Sequence, residues 1–249
     1  MMKAVFRTDR GKVRQHNEDN GGIFHNETGF LAIVADGMGG HRAGEVASSM
    51  TLSYFKESWS QVKGDFTAEN AENWLQENIQ KVNQLLFKHA ESHLECKGMG
   101  TTLVAALCTE RFITIANIGD SRCYIKNESG FKQLTEDHSL VNELVRTGQI
   151  SREDAEHHPR KNVLLRALGT EPNVEMDIVT IVFEEGDFLL LCSDGLSNKL
   201  NSEEMLKIIE EDETLEQKAD HFINIANNHG GEDNITLVLL QYSFESEGR

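Results

Sequence analysis

Proline is almost missing from this chain, with two in 249 residues. No Pro-, Ser- or Gly-rich linker and no repeat at a fixed period divides it, so a single domain over residues 1–249 is expected. A hydrophobic content of 39% is enough for one sizeable core, and 26% charged residues with 20 glycines fit a globular protein rather than a disordered one. Cysteine is limited to Cys96, Cys108, Cys123 and Cys192, with no C-x-x-C spacing, and three of the four sit inside apolar strand-like runs. Reduced, structural thiols are expected, and no His/Cys zinc spacing is present. Long apolar stretches are also lacking. Residues 30–35 and 188–192 fall far short of the ~20 residues of a membrane span, and no basic-then-apolar signal precedes Lys3; a soluble, cytoplasmic protein is expected. The scarce charge is positive: 24 Lys+Arg against 41 Asp+Glu leave a formal −17. Proteins that grip phosphate backbones depend on Lys and Arg, so nucleic acid is excluded as a partner. No coiled-coil stripe demands a dimer, and a monomer is expected.

Short runs rich in Val, Ile, Leu and Phe predict strands over 4–8, 30–35, 101–108, 112–118, 121–126, 179–183, 188–192 and 235–242. Between the second and third lie two helical patterns: Val46, Ala47, Met50 and Tyr54, then 68–93 with Trp74, Leu75, Ile79, Val82, Leu85, Leu86 and His89 as its stripe. A second pair spans 202–210 and 214–228, the latter opened by a capping box from Thr214 to Gln217. Consecutive short strands favour antiparallel pairing over repeated βαβ units. The fold class expected is α+β, a sandwich of two antiparallel sheets with helix pairs packed on them. Residues 135–168 change composition and carry a capped turn at Ser151-Arg152-Glu153-Asp154, which reads as a surface insertion. Within 146–166, Arg146, Arg152, Arg160, Lys161 and Arg166 outnumber Glu153, Asp154 and Glu156, in a chain that is otherwise acidic. Either a solvated loop or a docking flap for an anionic partner has this pattern.

The most informative pattern is an apolar run that ends in a small residue and then Asp-Gly: Asp36-Gly37 after 30–35 and Asp194-Gly195 after 188–193. Asp120 sits at a turn between two strands, Asp233-Asn234 precedes the last strand, and Glu18-Asp19 follows the first. One Asp-Gly after a strand is usually just a turn. Six acids at strand edges are costly to gather in one fold unless hard divalent cations neutralise them, and oxygen-only ligands select Mg²⁺, Mn²⁺ or Ca²⁺ over Zn²⁺. In Asp36-Gly37-Met38-Gly39-Gly40-His41 the glycines let backbone approach a ligand, and the Gly37 carbonyl can serve as one. It is neither a dinucleotide fingerprint nor a P-loop. His41 can donate a proton or simply be a surface histidine. Arg14, four residues before the Glu18-Asp19 pair, suits either a surface salt bridge or a bidentate grip on phosphate.

Arg14 to Asp19, Val34 to His41, Gly98-Met99-Gly100-Thr101-Thr102, Ile118 to Arg122, Cys192 to Leu196 and Glu232 to Thr236 resemble, in order, the motifs of the metal-dependent protein phosphatases, also called protein phosphatase 2C. Within that family the pattern is similar to small bacterial serine/threonine phosphatases that oppose eukaryotic-like kinases in Gram-positive organisms. The resemblance implies a four-layer α-β-β-α sandwich. It implies two core Mn²⁺ or Mg²⁺ ions bridged by Asp36, with the Gly37 carbonyl, Asp194 and Asp233 as further ligands. Glu18 and Asp19 would act through bound waters, and Asp120 with Asp194 would hold a third, weaker ion. Arg14 would grip the phosphate, His41 would be the general acid, and the flap over 146–166 would bear on substrate selection. The implied reaction is attack of a metal-activated water on phosphoserine or phosphothreonine in proteins, without a phosphoenzyme. Consistent with that, no cysteine has an arginine six positions on. The alternative is a catalytically weak, metal-bound regulator that reads phosphorylated partners through Arg14 and the flap. A Ca²⁺-binding structural protein lacks the 12-residue loop pattern.

Overall fold

Runs in which every second apolar side chain can face a different layer form a pair of stacked sheets in the computed structural model, which describes residues 2–40 and 42–243. In chain order the strands are β1 (Met2–Asp9), β2 (Asp19–Asn26), β3 (Gly29–Met38), β4 (Gly100–Thr101), β5 (Leu103–Cys108), β6 (Ile113–Ile118), β7 (Arg122–Asn127), β8 (Gly130–Gln133), β9 (Asp177–Ile181), β10 (Phe188–Cys192) and β11 (Ile235–Tyr242). The helices are α1 (Ala43–Ser60), α2 (Ala68–Ser92), α3 (Leu140–Arg146), α4 (Arg152–Glu156), α5 (Asp194–Ser197), α6 (Ser202–Glu210) and α7 (Leu215–Asn228). One sheet has the order β1-β11-β10-β7-β8 and the other β2-β3-β5-β6-β9, with β4 paired to the end of β3 and every pairing antiparallel.

Alternation within the strands decides the layers. Ala32, Val34, Val104, Ala106, Leu189, Leu191, Val238 and Leu240 fill the space between the sheets. Leu31, Ile33, Ala105 and Leu107 face the other way, onto Ala47, Phe55 and Trp59 of α1 and Leu75, Ile79, Val82 and Leu86 of α2. Leu190, Cys192, Leu237 and Leu239 face Met205 and Ile208 of α6 and Ala219 and Phe222 of α7. The result is the expected α-β-β-α sandwich, with no helix among the described residues long and apolar enough to cross a membrane. All four cysteines are buried and unpaired, as expected.

Several expectations shift. Residues 19–26 pair with β3 along their whole length although they were not predicted as a strand; Gly21-Gly22 reads as a breaker, yet a Cβ on Gly21 would lie 2.7 Å from the Ile33 carbonyl oxygen, so close packing demands the glycine. The four-residue β8 was too short to register. The predicted strand 101–108 is two strands, because Thr102 turns its backbone N–H to the Asp36 carbonyl (2.8 Å). β9 begins two residues earlier than predicted. Leu85 leaves the apolar stripe of α2 (44% exposed), and buried Asn78 and Asn83 join that face, Asn83 bonding the Gly169 N–H and the Glu171 carbonyl. The segment 135–168 leaves the sheet as α3 and α4, both capped by serines at Ser139 and Ser151, and returns through bridges from Ser139 to Leu164 and Thr101 to Leu168.

Candidate active site

The end of the sandwich where β3 and β10 finish is built by close backbone contacts. Asp19 opens β2 directly opposite Asp36 near the end of β3. A Cβ on Gly37 would lie 2.2 Å from the Gly44 carbonyl oxygen and 2.5 Å from that of Glu18, so only glycine lets the strand end, α1 and the Glu18 loop meet. In the other sheet, a Cβ on Gly195 would lie 1.9 Å from the Asn234 carbonyl oxygen, which brings Asp194 beside Asp233. Hydroxyls and one amide then fix the acids. Thr102 Oγ1 accepts the Asp36 N–H (2.9 Å) and shares a proton with Ser121 Oγ (2.7 Å), and Thr101 Oγ1 donates to the Asp36 carbonyl (2.9 Å). Ser193 Oγ donates to Asp19 Oδ2 (2.7 Å) and accepts the Thr236 N–H (3.0 Å). Asn234 accepts the Glu18 N–H (2.8 Å) and donates to the Arg10 and His16 carbonyls (2.9 Å each), clamping the loop that carries Arg14 to Asp19.

The predicted acids converge. Burial pushes the Asp36 carboxyl well above the ordinary aspartate range, and Asp19, Asp194, Asp120 and Asp233 each push it further. Burial and the neighbouring acids also raise Asp19 and Asp120, each to about 7, although Ser193 and Thr236 pull Asp19 back and Arg122 pulls Asp120 back. Asp194 rises through burial and the Asp233 charge, and Glu18 through burial, partly offset by Arg14. Glu18 Oε1, Asp19 Oδ1 and Asp194 Oδ1 are buried with no hydrogen-bond partner. Orphaned carboxylate oxygens and like charges held together fit hard divalent cations, which take oxygen ligands and remove the repulsion. Glu211, Glu213 and His221, on the α6–α7 connection and the first half of α7, are the one group among the described residues whose ligand atoms all lie within 4.8 Å of one another; the acids around Asp36 are more widely spaced than that.

Arg14 stands at the rim. Its NH2 donates to Asp233 Oδ2 (2.7 Å), with side chains 50% and 35% exposed, and its other guanidinium nitrogens have no hydrogen-bond partner among the described residues. His41 lies outside the described residues. In the flap, Arg146 is held by Glu143 (2.9 Å) and Arg166 by Asp177 (3.2 Å), whereas Arg152, Arg160 and Lys161 are exposed and make no ion pair among the described residues. Lys161 is near enough to assist Lys199 in holding the Glu232 carboxyl below its ordinary value, beside Asp233. Thr102, Ser121 and Ser193 fall inside the motifs without a role of their own there, because a hydroxyl beside a strand looks like any strand-end residue until the acid it serves is known. Asn234, which the sequence offers only as the neighbour of Asp233, has an amide that ties three backbone segments together.

A family model described as "Protein phosphatase 2C" matches residues 8–236. The serine/threonine phosphatase stp of Listeria innocua is 53% identical over 249 residues, 100% of this chain and 99% of that protein. Among solved structures, serine/threonine phosphatase Stp1 from Staphylococcus aureus superposes with a TM-score of 0.93 at 40% identity, covering 98% of this chain and 96% of that one. The catalytic domain of the serine/threonine protein phosphatase PstP, solved in complex with two manganese ions, gives 0.85 at 32%, covering 98% and 99%.

Proposed function

Because the chain belongs to the protein phosphatase 2C family and is a metal-dependent protein serine/threonine phosphatase, we propose that the acids gathered around Asp36 are its cation site. Asp36, the Gly37 carbonyl, Asp194 and Asp233 would hold two core ions, Mn²⁺ or Mg²⁺, with Glu18 and Asp19 acting through water and Asp120 beside Asp194 serving a third, weaker position. When bound, such ions supply a water acidic enough to yield hydroxide near neutral pH and offset charge on the phosphoryl oxygens. The orphaned oxygens of Glu18, Asp19 and Asp194, held among mutually repelling carboxylates, carry this reading. The PstP catalytic domain, solved with two manganese ions, supports Mn²⁺ as the ion to test first.

The chain's own groups do the rest. Arg14 keeps part of its fork for a phosphoryl oxygen while its bond to Asp233 holds it at the rim. Asp19, fastened by Ser193, keeps one carboxylate oxygen turned away from solvent. His41 is the proposed donor of a proton to the departing serine or threonine oxygen. The exposed cations Arg152, Arg160 and Lys161 would offer a phosphorylated protein a positive surface, while Arg146 is engaged by Glu143 of α3 and Arg166 by Asp177 of β9. We further propose a monomeric, single-domain, cytoplasmic enzyme that opposes a serine/threonine kinase, with that kinase among its substrates.

Phosphate release from a phosphothreonine peptide by metal-stripped protein, with and without Mn²⁺, tests this. Release is expected only with the metal, and inhibitors of phosphotyrosine phosphatases should leave it intact. A metal-bound protein that binds the peptide but releases no phosphate would instead be a phosphoprotein-reading regulator.

A further inference from the structure

His138 was not among the candidate residues, yet it is 8% exposed and makes contacts at every polar atom. Its backbone N–H donates to the Gly119 carbonyl (2.9 Å), and its ring Nδ1 faces the Gly119 N–H (3.2 Å). The turn before Asp120 is thus gripped from both sides by one residue. Asn117 Nδ2 supports it from below through the Glu136 carbonyl (3.1 Å). Gly119 itself sits at φ +101, where a Cβ would lie 2.6 Å from Thr102 Cγ2, so the turn has a single narrow solution.

The tautomer follows from the hydrogen-bond network. A backbone N–H only donates, so Nδ1 must carry the lone pair and Nε2 the proton. Nε2 lies 3.2 Å from Asp177 Oδ2, an acceptor, which fixes that proton. Arg166 NH1 lies 3.2 Å from Asp177 Oδ1 and 3.3 Å from Nε2. Without the carboxylate, Arg166 would donate to Nε2 and drive the proton onto Nδ1, where it would confront the Gly119 N–H.

We propose that His138, held by Asp177 as its Nε2–H tautomer, is a positioning residue for Asp120: its lone pair and backbone N–H set the Gly119–Asp120 turn so that the Asp120 carboxylate faces Asp194. The proposal rests on the assignment of Asp120 to the weaker cation position. Orientation of a ligand by a hydrogen-bonded partner behind it typically governs metal affinity by about 10–100-fold.

The test is calorimetric titration of metal-stripped protein with Mn²⁺, together with thermal melting of each variant. Asp120→Asn first identifies the weakest component of the isotherm. Asparagine at 138 places Oδ1 where Nδ1 stands and keeps an acceptor for the Gly119 N–H, whereas glutamine reaches toward Asp177 and loses that acceptor. His138→Asn is expected to keep the weakest component within about 3-fold, and His138→Gln to weaken it by about 10–100-fold with the tighter components unchanged. Asp177→Ala removes a side chain that is 53% exposed, so folding is retained, and is expected to weaken the same component by about 10-fold. Equal behaviour of the two His138 variants, or no effect of Asp177→Ala, overturns the role of His138. An Asp120→Asn protein with an unchanged isotherm overturns the cation assignment of Asp120 itself, and the proposal with it.

Discussion

At the residue scale the centre is Asp36, whose carboxyl is raised by burial and by four neighbouring aspartates. Asp36→Asn is expected to leave a folded protein whose Mn²⁺-dependent phosphate release falls by more than the 10–100-fold typical of losing an outer partner. His41→Ala should slow alkyl phosphate esters by about 100-fold or more and aryl esters, with their better leaving groups, much less; equal losses in the two rate constants would remove it as the acid. Thr102→Val keeps shape but strands the buried Asp36 N–H, a cost of about 1–3 kcal/mol that a thermal melt would record as a drop of several degrees. The carboxylates were legible in the sequence because apolar runs ending in Asp-Gly announce strand tips. The hydroxyls of Thr102 and Ser193 were not, since the acids they hold stand 66 and 174 positions away in the chain.

At the scale of elements, glycines decide where the strand ends and helices meet. Alanine usually stabilises a helix relative to glycine by about 1 kcal/mol. Gly44 near the start of α1 should show the opposite sign, because a Cβ there would lie 2.7 Å from the Gly37 carbonyl oxygen; Gly44→Ala is expected to lower both melting temperature and activity. The flap is a second such element. Replacing Arg160 or Lys161 by alanine should change kcat/KM among phosphopeptides while leaving a small aryl phosphate unaffected, and parallel losses on both would mean that the flap supports the site instead of selecting substrates. Long periodic elements such as α2 were legible to within a residue. β2 was not, because its Gly-Gly pair has low intrinsic strand preference and is there for the backbone packed against it.

At the scale of the whole molecule, the acid cluster makes stability depend jointly on pH and metal. Asp19 and Asp120 titrate near 7 in the folded protein against about 4 when unfolded, so between those values the native state holds more protons and stability falls as pH rises. The formal charge of −17 adds repulsion in the same direction. Metal-stripped protein is therefore expected to melt at a higher temperature at pH 5.5 than at pH 7.5. Saturating Mn²⁺, which binds the ionised folded site, should raise the melting temperature most at the higher pH. The layers of the sandwich could be read from strand order and helix pairing, but convergence of Glu18, Asp19, Asp36, Asp120, Asp194 and Asp233 at one end could not, because it depends on β3 and β10 ending at the same edge of two different sheets. The most direct measurement is the number of Mn²⁺ ions bound at saturation by metal-stripped protein and by its Asp36→Asn variant. At least two ions on the wild type, with the core pair lost from the variant, is the predicted result; an unchanged count in the variant would contradict the assignment of these acids as the cation site.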